Sequence, residues 1–229
     1  MVLTTPPLYS IEWRKSWRII PSRFPPINLF ERVSSSSDWE TLASIESLTN
    51  DRLRDENGQI SLISPEDRVS GPGSSFIMAP FTHVNPSGSR FSNGQWGVYY
   101  AAHDIKTAIA ETKFHREIFM KATKEPPMHL DMRVLLAKIK GDFHDIRGQN
   151  FINSPLYDEI SYKSSQDLAK HLKNIDSNGI VYKSVRHSMG QNIAVFKPKL
   201  ISNCIQERHL EYIWDGKSIS SILEKKLLT

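Results

Sequence analysis

The sequence contains only one cysteine, Cys204, among its 229 residues. A single cysteine cannot form an internal disulfide, which fits a protein of the reducing cytoplasm. Long apolar runs are also missing, since no stretch approaches the roughly 18 apolar residues that a membrane-spanning helix requires. Prolines and charged residues interrupt residues 1–20, so the sequence shows no apolar segment typical of a signal peptide. We therefore expect a cytoplasmic protein that does not span a membrane.

Motifs for metal ions, nucleotide phosphates and serine hydrolysis are missing too. The eight histidines include no His-x-x-x-His pair, and one cysteine cannot provide a thiolate cluster, so we expect no metal site. Gly71-Pro72-Gly73 is not followed by the Gly-Lys-Ser/Thr of a phosphate-binding loop, and no Gly-x-Ser-x-Gly elbow is present. These absences argue against a zinc enzyme, a P-loop nucleotidase and a serine hydrolase of the elbow type.

The sequence is rich, by contrast, in large apolar side chains. Ten Phe, seven Tyr and five Trp exclude a mainly disordered chain, and 229 residues are enough to bury a proper core. No internal repeat or linker divides the chain, so we predict a single α+β domain over residues 1–229 with a mostly antiparallel sheet and flanking helices. The net charge of +4 and the pI near 9.1 are too mild to indicate nucleic-acid binding by themselves.

Hydrophobic periodicity and turn residues predict the order of the secondary structure. Residues 1–28 are expected to form an extended arm packed on the domain, and the Pro- and Gly-rich residues 64–95 a long irregular segment. Asp104 is expected to cap a helix over residues 105–121 whose inward seam includes Phe119. Strands are predicted at residues 27–33, 97–102, 128–139, 142–146, 180–184, 192–196 and 204–214. Further helices are predicted at residues 39–55, from Ser164 or Ser165 to about residue 174, and at 220–228.

Residues 88–111 combine three side chains suited to a polar site. Arg90 lies in a glycine-framed loop, Tyr100 in a strand and Glu111 on the following helix. A strand that turns directly into a packed helix brings Tyr100 and Glu111 to the same cleft, and Glu111 borders the buried seam because it follows Ala108 by three positions. Each residue also has an ordinary structural interpretation, since most charged side chains lie at the surface. The residues alone leave the site undecided.

The same stretch, with several other blocks, resembles the RES family, toxins of bacterial toxin–antitoxin pairs named for Arg, Glu and Ser residues. The family pattern is an early strand ending in X-Arg, a Gly-x-Arg-Phe block, Val-Tyr-Tyr-Ala, Ala-x-x-Glu, and Gly-Ile-x-Tyr-x-Ser-x-Arg followed by Asn-x-x-x-Phe. The corresponding segments, in family order, are Phe30-Glu31-Arg32, Gly88-Ser89-Arg90-Phe91, Val98-Tyr99-Tyr100-Ala101, Ala108-Ile109-Ala110-Glu111, residues 179–186 and residues 192–196. One departure is Val33, where many members carry Tyr. The blocks define a core at residues 27–200, between an N-terminal arm at 1–26 and a C-terminal extension at 201–229.

The resemblance implies an ADP-ribosyltransferase-like fold with a split sheet. It also implies an enzyme that consumes NAD+ as a substrate, with no further cofactor, and passes ADP-ribose to phosphate, water or a protein. The implied catalytic residues are Glu111, Arg32 and Ser184. The implied NAD+-binding residues are Arg32, Arg90, Tyr100, Ser184 and Glu111, with the arginines on the pyrophosphate, Tyr100 on the nicotinamide ring and Glu111 at the ribose.

The resemblance further implies an Xre-type antitoxin as partner, DNA contacts made through that antitoxin, and a homodimer within the complex. An alternative within the class is a protein mono-ADP-ribosyltransferase that acts on a specific cellular enzyme. An alternative of another class is a non-enzymatic nucleic-acid-binding module, motivated by the basic and aromatic residues of the arm: Trp13, Arg14, Lys15, Trp17 and Arg18. We favour packing of this arm on the domain, because its aromatic side chains suit burial.

Overall fold

The computed structural model describes residues 4–22 and 59–226. The strands are β1 (Leu8–Pro21), β2 (Tyr99–Ala102), β3 (Met128–Asp145), β4 (Gly179–Lys183), β5 (Gln191–Val195), β6 (Ile201–Trp214) and β7 (Ile219–Lys225). The α-helices are α1 (Ser74–Thr82), α2 (Ile105–Ala122), α3 (Gln149–Ile152) and α4 (Lys163–Asn174). The strand predicted at residues 27–33, which carries Arg32, and the helix predicted at residues 39–55 lie outside the described residues.

The described strands form one mixed sheet in the order β1-β2-β5-β4-β3-β6-β7. Its one parallel pairing joins β3 and β4, and the other pairings of these strands are antiparallel. Because β1 also pairs with β3, the five strands β1, β2, β5, β4 and β3 close on themselves, while β6 and β7 extend from β3. The predicted α+β class with a mostly antiparallel sheet is confirmed.

The sheet is weakly joined between two groups of strands. In one group β3 pairs along most of its length with β1 and β6, and in the other β5 pairs with both β2 and β4. The groups meet at a single residue pair between β1 and β2, Trp17 with Ala102, and at two pairs between β3 and β4. Strands that share so few hydrogen bonds can diverge, so the sheet fits the split arrangement that the resemblance implies.

β3 lies at the centre of the fold and is buried on both faces. Successive side chains of a strand point to opposite faces, and accordingly Met132 and Val134 belong to one core cluster while Leu135, Ala137 and Ile139 belong to another. Helix α1 packs near β6, α2 near β1 and β2, and α4 near β4. The helices therefore cover the sheet from several sides and place α2 beside the opening between the two groups of strands.

Both ends of the chain supply strands to the sheet. Residues 8–21, within the predicted arm, form β1, which pairs with β3 from Leu8 to Pro21 and buries Ile11, Trp13 and Ile19. Residues 201–225, within the predicted C-terminal extension, form β6 and β7. The predicted helix at residues 220–228 is wrong, because Ile219–Lys225 is an edge strand paired with β6.

Three further local predictions are wrong. The segment at residues 64–95 is not irregular throughout, since it contains α1, which buries Ile77, Met78 and Phe81. The strands predicted at 128–139 and 142–146 are one strand, β3, which continues through Gly141, where the backbone has a φ of 155° and still pairs with Ile11 of β1. The seam of α2 does not include Phe119, whose side chain is 45% exposed.

The cap predicted for α4 is also wrong. Helix α4 begins at Lys163 without a side-chain cap, and the hydroxyl of Ser165 instead donates to the carbonyl of Leu156. No helix within the described residues is long and apolar enough to cross a membrane.

Candidate active site

A cavity of about 400 Å³ opens where the two groups of strands diverge. This volume is within the range of small-molecule sites, about 300–1,000 Å³. The cavity wall is formed by β1, β2, α2 and segments near β4 and β5, and the polar side chains on it include Arg18, Arg90, Tyr100, Glu111, His115, Arg186 and Asn192. Most of the residues that the sequence predicts for the site therefore surround one cavity.

Helix α2 places Glu111 at this cavity. β2 ends at Ala102, and Asp104 caps α2 as predicted, because its carboxylate accepts a hydrogen bond of 2.9 Å from the backbone N–H of Thr107. The short connection turns the chain from strand to helix, so Tyr100 and Glu111 line the same cavity. Ala108, one turn before Glu111, is buried and anchors this face of the helix.

The carboxylate of Glu111 is held by two donors on one oxygen. Its Oε1 accepts hydrogen bonds of 2.7 Å from the hydroxyl of Ser184 and of 2.7 Å from Nδ2 of Asn192. The oxygen of Ser184 in turn accepts the backbone N–H groups of Arg186 and His187, each at 3.0 Å. Ser184 is not part of the cavity wall and lies behind Glu111. Among the described residues no donor contacts Oε2.

Tyr100 contributes its ring to the cavity and its hydroxyl to the neighbouring loop. The hydroxyl accepts a hydrogen bond of 2.9 Å from the backbone N–H of Phe91 and shares one of 2.8 Å with the hydroxyl of Ser89. Burial raises the pKa of Tyr100 to about 12, so the hydroxyl stays protonated at neutral pH. These contacts fix the loop that carries Arg90.

Arg90 is buried, with 7% of its surface exposed, and still reaches the cavity. Its guanidinium donates to the carbonyl of Leu156 at 3.0 Å and stacks 4.6 Å from the ring centre of Tyr162. No carboxylate of the described residues forms an ion pair with it. A buried guanidinium held by a carbonyl and an aromatic face keeps its positive charge available for an anionic ligand.

Arg18 is a cavity residue that the sequence reasoning assigned to the structural arm. It lies on β1, where its guanidinium donates to the carbonyl of Tyr100 at 3.0 Å and lies 4.9 Å from the ring centre of Tyr99. Burial lowers its pKa from 12.5 despite the opposing effects of Tyr99 and Cys204. Within the described residues it has no carboxylate partner. Apolar and polar residues alternate at Trp17, Arg18 and Ile19, and this alternation is typical of a β-strand, so it could have predicted β1.

A third arginine, Arg186, closes the opposite side of the cavity. Its guanidinium pairs with the carboxylate of Glu159, donates to the carbonyl of Glu159 at 2.6 Å and stacks 3.4 Å from the ring centre of Phe114. His115 lies beside it, and burial lowers the pKa of His115, with Arg186 and Arg90 contributing. Neither Arg186 nor His115 was singled out from the sequence, although Arg186 belongs to the motif around Ser184.

As far as the described residues show, the cavity wall is cationic and carries a single acidic side chain. Glu111 is the one carboxylate among the described residues of its wall, against the guanidinium groups of Arg18, Arg90 and Arg186. Such a site favours an anionic ligand and, at Glu111, a neutral hydroxyl or a developing positive charge. Arg32, the remaining arginine predicted from the sequence, lies outside the described residues.

The fold and the cavity together define an α+β protein with a cavity lined by one anchored carboxylate and several arginines. The RES domain family matches residues 65–215, and the chain belongs to this family. An uncharacterized protein, y4oC of Sinorhizobium fredii (strain NBRC 101917 / NGR234), is 33% identical over 205 residues, which make up 89% of this chain and 84% of that protein. Among solved structures, a chain of the M. tuberculosis MbcT–MbcA toxin–antitoxin complex matches with a TM-score of 0.47 and 8% identity, over 86% of each chain.

Proposed function

We propose that this protein is the toxin of a bacterial toxin–antitoxin pair and that it cleaves NAD+ at the nicotinamide–ribose bond, passing ADP-ribose to phosphate or water or to a protein side chain. The observation that carries the proposal is the carboxylate of Glu111, fixed by Ser184 and Asn192 at the wall of an arginine-lined cavity. Membership of the RES domain family supports it.

The anchored carboxylate suits the chemistry of this bond. When the bond between the ribose C1′ and the nicotinamide nitrogen breaks, the electron pair leaves with nicotinamide and positive charge develops on the ribose, as in glycoside hydrolysis. Glu111 beside the ribose stabilises that charge, and its Oε2 accepts a hydrogen bond from a ribose hydroxyl. Water, phosphate or a protein nucleophile then adds to C1′ and releases its proton.

The arginines suit the two negative charges of the dinucleotide pyrophosphate. Arg90 is buried and Arg18 is partly buried, and neither has a carboxylate partner among the described residues, so we assign both to the pyrophosphate. Arg32 is assigned to the pyrophosphate and to catalysis, as the resemblance implies. The ring of Tyr100 stacks on nicotinamide, because its hydroxyl is already used by Ser89 and Phe91.

Ser184 and Asn192 act on the carboxylate in this proposal. Both donate to Oε1 of Glu111, and the two donors keep the carboxylate oriented. Ser184 therefore contributes to NAD+ binding and catalysis through Glu111.

We further propose that an Xre-type antitoxin closes the cavity and that the toxin is a homodimer in that complex. Ile160 and Met189, which are 91% and 85% exposed, lie on the segments that bring Tyr162 and Arg186 to the cavity. Exposed apolar side chains near the mouth of a site are typical of a surface that a protein partner covers.

Nicotinamide release from NAD+ by the purified protein tests this function. We expect the wild-type protein to release nicotinamide and Glu111→Gln to be at least about 100-fold slower, because the variant removes the charge that stabilises the ribose. Glu12→Gln is the matched control, since Glu12 is an exposed carboxylate on β1, and it should retain wild-type activity.

Absence of nicotinamide release by the wild-type protein, together with steady NAD+ levels in cells that express it without antitoxin, would contradict the proposal. NAD+ labelled in the ADP-ribose part distinguishes the acceptors, since the label ends in free ADP-ribose, in its phosphate ester or on a protein. Salt-dependent binding of DNA or RNA without nicotinamide release would instead favour the nucleic-acid-binding alternative.

A further inference from the structure

A partly buried chain of hydrogen bonds joins the start of α2 to the loop between β4 and β5. The hydroxyl of Thr107 donates to Oδ2 of Asp104 at 2.6 Å, and Nδ1 of His187 lies 2.8 Å from the same hydroxyl oxygen. Thr107 has no exposed surface. We call the three residues Asp104, Thr107 and His187 the clasp.

The direction of the hydrogen bonds in the clasp follows from the number of protons. A threonine hydroxyl has one proton, and an ionised carboxylate can only accept. Hydrogen bonds from the backbone N–H and hydroxyl of Thr107 outweigh the effect of burial and lower the pKa of Asp104, so Asp104 is ionised at neutral pH. Thr107 therefore donates to Asp104, and its oxygen accepts from Nδ1–H of His187, which fixes the histidine tautomer.

The clasp contacts the loop that orients Ser184. The backbone N–H groups of Arg186 and His187 donate to the hydroxyl oxygen of Ser184. Because that oxygen already accepts two hydrogen bonds, its own proton is directed to Oε1 of Glu111. The position of His187, which Thr107 holds, thus decides where the hydroxyl of Ser184 points.

Gly190 shows how closely the loop packs on Thr107. A Cβ atom at Gly190 would lie 2.5 Å from Oγ1 of Thr107 and 3.0 Å from Cβ of Ser184. The backbone of Gly190 also accepts from the N–H of Ser184 and donates to the carbonyl of His187, each at 2.8 Å. The loop is therefore a compact turn with Thr107 on one side and Ser184 on the other.

We infer that Thr107 is a positioning residue that acts through His187 and Ser184 to hold the carboxylate of Glu111 in its reactive orientation. This inference rests on the proposed function for its effect on catalysis. The side chain of Thr107 has two structural roles. Its methyl group fills space beside Gly190, and its hydroxyl carries the hydrogen-bond chain.

The variants Thr107→Val and Thr107→Ser distinguish the role of the hydroxyl from the role of the methyl group. Thr107→Val keeps the shape and removes the hydroxyl. We expect kcat for nicotinamide release to fall about tenfold or more while KM for NAD+ changes less than about twofold, because a carboxylate held out of its reactive orientation loses transition-state stabilisation of this order. Thr107→Ser keeps the hydroxyl, and its kcat should stay within about threefold of wild type. His187→Ala removes the donor from a half-buried position and should resemble Thr107→Val.

Thr82→Val is the matched control for these variants. Thr82 is also a buried helical threonine whose hydroxyl lies 3.0 Å from Nδ1 of a histidine, His83, but it does not line the cavity. The control should leave kcat unchanged. Equal losses in Thr107→Val and Thr107→Ser, or a change in KM alone, would overturn the inference, because both would point to shape or binding and not to the hydroxyl.

Amide hydrogen exchange tests the clasp independently of catalysis. We expect the amides of Arg186 and His187 to exchange at least about tenfold faster in Thr107→Val and His187→Ala than in wild type or Thr82→Val, because their acceptor Ser184 becomes mobile. Unchanged exchange would refute the clasp even if the enzyme is active. A wild-type protein that releases no nicotinamide would refute the proposed function, and the exchange rates would still decide whether Thr107 holds the loop.

Discussion

The hydrogen bonds that Glu111 accepts determine how its carboxylate is oriented. Oε1 accepts from Ser184 and Asn192, and Oε2 is without a donor among the described residues. A carboxylate held on one oxygen by two donors keeps its orientation. The two donors are 73 and 81 residues away in sequence. The fold, and not a local motif, therefore completes the site.

Arg18 gives a residue-scale prediction about ligand binding. We expect Arg18→Gln to raise KM for NAD+ about tenfold or more, because a charged hydrogen bond to an anion contributes about 1.5–3 kcal/mol. Glutamine retains a donor for the carbonyl of Tyr100, so the junction of β1 and β2 is preserved. Steady-state kinetics of nicotinamide release provide the measurement.

Arg14→Gln is the control for this prediction, because Arg14 is an exposed arginine on the same strand. It should leave KM unchanged. An equal rise in KM for both variants would mean that the overall charge of β1 attracts NAD+ and that Arg18 has no direct role.

Helix α1 shows why residues 64–95 were wrongly predicted to be irregular throughout. The prolines and glycines around it are typical of loops, and Pro80 lies inside the helix. A short helix of this kind is stabilised by burying Ile77, Met78 and Phe81 in the core. Strand β7 shows the opposite error. Its residues were predicted to form a helix, but they form an edge strand because they pair with β6.

Two glycines before α1 give an element-scale prediction about stability. Gly71 and Gly73 both have a left-handed backbone, with φ of 87° and 79°. A Cβ at Gly73 would lie 1.9 Å from the carbonyl oxygen of Cys204 on β6, whereas one at Gly71 would meet nothing within 4 Å. We expect Gly71→Ala to cost about 1–2 kcal/mol of unfolding free energy from backbone strain alone, and Gly73→Ala to cost clearly more.

Denaturant unfolding monitored by circular dichroism measures both values. Equal losses for the two variants would show that α1 can move away from β6 and that the close approach is not required for the fold. A larger loss for Gly73→Ala would support the packing of α1 on this strand.

At the scale of the whole molecule, an ion pair beyond the cavity ties together the two groups of strands. Asp145, at the end of β3, accepts three hydrogen bonds from Arg147, and Arg147 also donates to Gln191 at the start of β5. Burial acts to raise the pKa of Asp145, but the hydrogen bonds from Arg147 outweigh it and lower the pKa below 3.8.

This ion pair predicts how stability changes with acid. A carboxylate whose pKa is lower in the folded than in the unfolded protein stabilises the fold above the unfolded value, and the contribution is lost as the pH falls through the folded value. We therefore expect Arg147→Gln to reduce the unfolding free energy at neutral pH and to flatten its decline below pH 3.8. Urea unfolding over a pH series measures this slope.

Lys163→Gln is the control for the acid prediction. It breaks the ion pair with Asp167 on α4, in which both side chains are largely exposed, and such pairs contribute little. Its pH dependence should equal that of wild type. If the unfolding free energy of Arg147→Gln falls with acid as steeply as that of wild type, other carboxylates cause the loss of stability.

Local features of this protein could be predicted from the sequence: the Asp104 cap, the helix that follows it, and the placement of Tyr100 and Glu111 on adjoining elements. These depend on hydrogen bonds and periodicity within a few residues. Three other features became evident only from the fold: the pairing of β1 in the sheet, the position of Arg18 in the cavity wall, and the position of Ser184 behind Glu111. The physical reason is that strand pairing and side-chain contacts between distant segments depend on how the whole chain buries its apolar surface, which no short stretch encodes.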